Sequence, residues 1–176
     1  MVIQRRRVAA WTTASATLLA VLSVSACSFG EHYTPAYTYR QAAALVEHGV
    51  HGAVAHLTPT PTLAIAGRLY LPCTDANDEN PTGDLMIERG YWLRGLDPAH
   101  NQDVFDQMKR YWNTNGYTVI RDEAPQPITT SQTTVARNPS GFSMSLVQGA
   151  GGDFSLSAQS PCVHPDTGDD PSPAAT

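Results

Sequence analysis

Lysine is almost missing from this chain. Lys109 is the single lysine in 176 residues, and charged side chains of all kinds make up 15%. Binding to a phosphate backbone needs clustered Lys and Arg to release counterions, and no such cluster exists, so nucleic acid is excluded as a natural partner. Cysteine is also scarce, with Cys27, Cys73 and Cys162 and no Cys-x-x-Cys, which makes a poor zinc signal. No uncharged run is apolar enough over roughly 20 residues to read as a membrane span, because Thr12, Thr13, Ser15 and Thr17 dilute the stretch before Leu18. There is no Gly-x-Ser-x-Gly turn, and Asp106 stands where a Ser-x-x-Lys pair would need serine.

What the first residues do have is a targeting layout. Arg5, Arg6 and Arg7 form a positive start, Val8 to Ala26 carries no charge, and Val24-Ser25-Ala26 leads small residues into Cys27. That order reads as a secretory signal. A cysteine at this point is the acceptor for a thioether-linked diacylglycerol in bacterial lipoproteins, so residues 1–26 are expected to be a signal peptide and Cys27 the lipidated residue. The alternatives are plain secretion with Cys27 as an ordinary thiol, and a retained anchor. The arginines also touch on twin-arginine export, but the residues after them lack its pattern. Several acyl chains would hold the domain stably on the bilayer, at about 0.8 kcal/mol per buried methylene. The expected location is the extracytoplasmic face of the cell membrane.

Without the leader the counts change. Eleven basic residues less three leave eight, against sixteen acidic, a net charge of −8. An acidic surface is repelled by anionic lipid, so attachment would rest on the acyl chains. With Cys27 assigned to lipid, Cys73 and Cys162 make an even count in an oxidising compartment, and a disulfide between them is the natural reading. Closing a loop of about 90 residues stabilises by roughly 4–5 kcal/mol in the chain-entropy model, and by about 2–4 in common experience.

Residues 27–37 read as a lipidated tether reaching at most about 30 Å. Tyr39 to Leu57 reads as helical, with Leu45, Val46, Val54 and Leu57 as its apolar stripe and Gly49 and Gly52 weakening the middle enough to suggest two shorter helices. Leu63–Ala66 and Leu69–Leu71 are short and together read as a strand. Asp84 to Leu96 is a longer strand in which Gly90 marks a bulge. Asp97-Pro98 starts a second helix, with Val104, Phe105, Met108, Tyr111 and Trp112 on one side, ended by Asn115-Gly116.

Strands are expected at Tyr117–Arg121, Gln132–Arg137, Phe142–Leu146 and Phe154–Ser157. The last two form a hairpin, with Phe142, Met144, Leu146, Phe154 and Leu156 on one side and serines on the other. One side buried and one wet implies an α+β fold, an antiparallel sheet of about four to five strands with two helices packed on one face. It occupies residues 38–162 as a single domain, and 163–176, rich in Pro and Asp, reads as a disordered tail.

The lipobox, the helix ending at Trp112 with Gly116-Tyr117-Thr118-Val119, then Gly141-Phe142-Ser143 and Ser160-Pro161-Cys162, resembles uncharacterised small secreted lipoproteins of streptomycetes and related actinobacteria. The resemblance implies envelope location and an α+β domain. It brings no catalytic residues with it.

Four groups of residues offer candidate chemistry. His48, His51 and His56 sit on the first helix, but no carboxylate or Cys completes a metal set, so solvated or capping roles are favoured. Asp75-Ala76-Asn77-Asp78-Glu79-Asn80 offers oxygen ligands for calcium, but an EF-hand would place Gly at Asn80 and Glu at Met86, so a solvated loop is favoured over irregular calcium binding. Ser143, Ser145, Ser155 and Ser157 lie mid-strand, as a polar sheet face or a docking surface. Tyr91-Trp92 and Tyr111-Trp112 read as core or rim aromatics, with a ligand pocket between helix and sheet as the alternative.

The expectation is therefore a membrane-anchored lipoprotein carrying a non-catalytic binding or interaction domain. No cofactor or metal is expected, and the partners are the bilayer through acylated Cys27 and an envelope protein or ligand. A small envelope hydrolase built on a carboxylate pair is the first alternative. A structural accessory of a membrane complex is the second.

Overall fold

The computed structural model describes residues 37–75, 77, 80–124 and 131–165. Helix α1 (Tyr39–Ala55) comes first, then strands β1 (Thr62–Thr74) and β2 (Pro81–Arg94). A 3-10 turn, Pro98–His100, leads into helix α2 (Asn101–Thr114). Strands β3 (Thr118–Glu123), β4 (Gln132–Arg137), β5 (Ser143–Gln148) and β6 (Phe154–Gln159) complete the chain. One antiparallel sheet runs β1-β2-β6-β5-β4-β3, so the last strand returns to the middle beside β2. The α+β expectation holds with six strands instead of four to five. β1 runs as one strand through both apolar pieces, with Ala66 as an extra residue between the Ile65–Tyr91 and Gly67–Gly90 pairs that interrupts the alternation. The irregularity expected at Gly90 therefore lies opposite it, on β1.

α1 starts at a capping box: the Gln41 amide donates to Thr38 Oγ1 (3.3 Å) and the Thr38 amide to Gln41 Oε1 (3.0 Å). It runs unbroken through Gly49 and Gly52. A Cβ at Gly49 would stand 2.6 Å from Met144 Cε, and one at Gly52 2.8 Å from the Tyr111 hydroxyl. Each glycine costs the helix about 1 kcal/mol in propensity, and in exchange α1 sits close against the sheet and α2. The buried side is Ala42, Val46, Val50, Ala53 and Val54. Leu45, expected in the stripe, is 43% exposed, since positions 42, 46 and 50 repeat every fourth residue one step away from it.

α2 buries Val104, Phe105, Met108 and Trp112, as its pattern predicts, and Trp112 Nε1 donates to Met144 Sδ at 3.1 Å. Gly116 takes φ +77° and the Tyr117 amide donates back to the Trp112 carbonyl, which ends the helix. Both helices share one core with one side of the sheet: Ile87, Tyr91 and Leu93 of β2, Met144 and Leu146 of β5, Phe154, Leu156 and Ala158 of β6. The opposite side carries no helix among the described residues.

Cys73 and Cys162 are disulfide-bonded, joining the end of β1 to the segment after β6. The domain does not stop there. Val163 is fully buried and exchanges two 2.9 Å backbone hydrogen bonds with Leu85, and His164 bridges to Thr38. The boundary expected at residue 162 thus moves outward, and residues 166–176 of the expected tail lie outside the described residues. At the other end Tyr37, assigned to the tether, packs edge-on against Phe142 with ring centroids 5.2 Å apart. No helix among the described residues is long and apolar enough to cross a membrane.

Candidate functional site

β2 alternates Ile87, Arg89, Tyr91, Leu93 toward the core, so a guanidinium enters an apolar row. A charge buried there must be paired and hydrogen-bonded. Glu47, from the middle of α1, supplies the partner: Arg89 Nε lies 3.3 Å from Glu47 Oε1. Arg89 also donates to the Glu88 carbonyl (2.9 Å) and the Tyr70 hydroxyl (3.1 Å), with its guanidinium 5.1 Å over the Tyr70 ring. The Tyr91 hydroxyl donates to Glu47 Oε2 at 2.6 Å. Both carboxylate oxygens are engaged, so Glu47 holds α1 to the hairpin and is poorly placed to take a proton from a substrate.

The tyrosines respond to this setting. Tyr39, whose ring lies 5.8 Å from that of Tyr70, has its pKa pushed up to about 12, by burial first and then by its hydrogen bond to Tyr70. Burial would raise Tyr70 as well, but the hydrogen bonds from Tyr39 and Arg89, with the charges of Arg89 and Arg68, outweigh it and lower the pKa. Tyr91 is raised by burial and by its bond to Glu47. Arg68 of β1 stands directly across from Arg89, and among the described residues it has no carboxylate of its own.

The residues singled out from the sequence fall in separate places. Cys27 lies outside the described residues. The three histidines point apart: His51 lies against the Tyr91 ring, and His56 Nδ1 is 2.8 Å from the Gly52 carbonyl. His48 lines a pocket of about 260 Å³ together with Tyr37, Tyr111, Tyr117, Asn138 and Phe142. No group of three His, Cys, Asp or Glu side chains converges as a metal site among the described residues. Asp75 accepts from the Asn77 amide (3.1 Å) and Asn80 Nδ2 (2.9 Å), so its carboxylate folds its own loop; Ala76, Asp78 and Glu79 lie outside the described residues.

The serines do share one surface. Ser145 is paired with Ser157, and Ser155 stands between Val147 and Trp92 on the helix-free side. Tyr91 and Trp92 accordingly part company, Tyr91 inward to Glu47 and Trp92 outward, where Arg94 stacks on it at 5.3 Å and pairs with Asp153 at 3.0 Å. A larger cleft, about 440 Å³, opens beside α2 between Pro59, Asp97, His100, Asp103, Asp106 and Arg110. Asp97 there is held below the usual carboxylate range by its bonds to the Ala99 amide and to His100.

Sequence reasoning passed over Glu47, Arg89, Tyr39 and Tyr70. The available signal was Arg89 itself, an arginine on the inward parity of an otherwise apolar strand. No protein-family model, curated protein or solved structure matches the chain.

Proposed function

We propose that this chain is a bacterial envelope lipoprotein, held at the extracytoplasmic face of the cell membrane by acyl chains on Cys27, whose domain binds an envelope protein or ligand without transforming it. The anchor reading is supported by the arginine-led, uncharged leader ending in small residues before Cys27, and by the resemblance to small actinobacterial lipoproteins. The binding reading rests on one observation. The sheet puts both helices on one side and leaves a broad surface of short hydroxyl side chains on the other, edged by the 38% exposed Trp92. Short Ser side chains allow close approach and hydrogen-bond freely, while aromatic residues supply contact area at interfaces.

Two measurements test it. Cys27→Ala should release the protein from membranes and abolish fatty-acid labelling; full retention would sink the anchor. Crosslinking on intact cells through Ser145 or Ser157 positions should recover a specific product. Recovery of none, with the protein present at normal levels, would refute binding through this surface.

A further inference from the structure

The two edges of the sheet are built differently. β3 is six residues long and guarded by charge: Arg121 pairs with Glu123 at 2.7 Å, and Asp122 with Lys109 at 2.6 Å. Its exposed Ile120 is the bulged residue of the β3–β4 ladder. Charged side chains and bulges are how proteins blunt an edge that would otherwise recruit another strand. β1 is thirteen residues long, has β2 on one side and, among the described residues, no strand on the other, and shows Ile65 at 60% and Leu69 at 49% exposure. Its own bulge at Ala66 and Pro72 bracket a run, Gly67 to Leu71, whose one charge is Arg68.

α1 packs on β2 and β6, so the helix-side face of β1 projects beyond it as a ledge carrying Ile65, Arg68 and Tyr70, walled at one end by Tyr39. Of the three arginines in the hairpin, Arg89 has Glu47 and Arg94 has Asp153. Arg68 alone has no carboxylate among the described residues, and it faces a like charge in Arg89.

We propose that β1 is a strand-addition site, pairing through its free edge with an extended segment of a partner protein whose side chains alternate and which sets a carboxylate beside Arg68. Main-chain hydrogen bonds supply the affinity of such pairing and the flanking side chains its selectivity. A second copy of this chain is a poor occupant. Arg68 lies six residues from either end of β1, so the in-register antiparallel pair would set Arg68 against its own counterpart. The inference depends on the reading of the domain as a binding module but not on its lipid anchor.

Full-length protein in detergent micelles would be titrated with fluorescent peptides of alternating valine and threonine, bearing one central glutamate, one central lysine, or proline at every second position. The glutamate peptide should bind, protect the β1 backbone amides from hydrogen exchange, and exceed the lysine peptide by about tenfold in affinity, equivalent to about 1.4 kcal/mol. The proline peptide should not bind. Arg68→Glu should invert the preference and Arg68→Lys should keep it. Since Arg68 is exposed, both variants should fold, as circular dichroism would verify. Equal affinity for the glutamate and lysine peptides, protection of β3 instead of β1, no binding of any peptide, or concentration-dependent dimerisation that protects β1 without peptide would each overturn the proposal. Peptide binding with no cellular crosslink through the serines would leave this site standing and count against the serine surface alone.

Discussion

Glu47 and Arg89 meet across the interface of α1 and β2, with Arg89 Nε 3.3 Å from the carboxylate and the two side chains 32% and 8% exposed. Their energetics are asymmetric. A buried pair is often replaceable by matched apolar residues at little cost, whereas removing one partner strands a charge. Arg89→Met alone and Glu47→Ala alone should each lower unfolding free energy by about 2–4 kcal/mol, while Glu47→Leu with Arg89→Met should fall well short of the sum. Urea denaturation of the three variants and the parent checks this. Additive losses would show that the pair does not act as a unit.

Gly49 gives a second test. A branched side chain there would collide with Met144 Cε, itself held among buried neighbours and bonded by Trp112. Gly49→Val should destabilise by about 1–3 kcal/mol despite leaving the helix-forming tendency no worse. Gly67→Ala, where a Cβ meets nothing within 4 Å, serves as the control and should be tolerated.

Acid should act through Asp122. Its pKa lies below the ordinary 3.8 because it accepts from Lys109 and then from Thr134, whose hydroxyl is 2.7 Å away. A folded-state pKa below the unfolded one contributes stability above the ordinary carboxylate value, and that contribution disappears as pH falls through the lower, folded value. Asp122→Asn should therefore flatten the acid limb of a stability–pH curve while changing little of its shape near neutrality. An unaltered acid limb would contradict the assignment.

Alkali should act through tyrosine. Tyr91, Tyr111 and Tyr117 are raised chiefly by burial and Tyr39 reaches about 12, whereas Tyr70 is lowered. For the raised groups the stabilisation is complete below the ordinary value of 10.0 and is lost as pH climbs through the folded values. Ultraviolet titration should show Tyr39, Tyr91, Tyr111 and Tyr117 ionising late in the folded protein and normally in urea.

The disulfide closes a long loop, its cysteines standing 89 positions apart in the chain. Cys73→Ala with Cys162→Ala should cost about 2–4 kcal/mol. A thermal melt of reduced and oxidised protein reads the same quantity.

Legibility followed the physics of each element. The α2 stripe and the β5–β6 hairpin were plain in the sequence because their apolar positions keep one period throughout and their turns carry glycine. α1 misled at Leu45 and at its glycines, since a glycine that weakens a helix in isolation here lets two surfaces touch. That contact is tertiary and leaves no local mark. The bulged β1 blurred the strand count, because Ala66 breaks its alternation. The Cys73–Cys162 bond followed from counting. The Glu47–Arg89–Tyr70 network did not, because its members are separated by long stretches of chain and only the fold brings them together.

The Cys73–Cys162 bond also sets how the domain would come apart under proteolysis. Its loop encloses β2, α2 and β3 to β6, leaving α1 and most of β1 outside. A single cut anywhere between those cysteines yields two fragments that stay covalently joined and migrate as one band until a reductant is added. A cut in the connector between α1 and β1 frees the amino-terminal piece at once. That connector is clamped to α2 by Gln107, which accepts from the Thr58 amide at 2.8 Å and donates to its carbonyl at 3.1 Å. This exposed-loop position outside the disulfide loop, where a nick would release the amino-terminal piece, is thus tied down by side-chain hydrogen bonds.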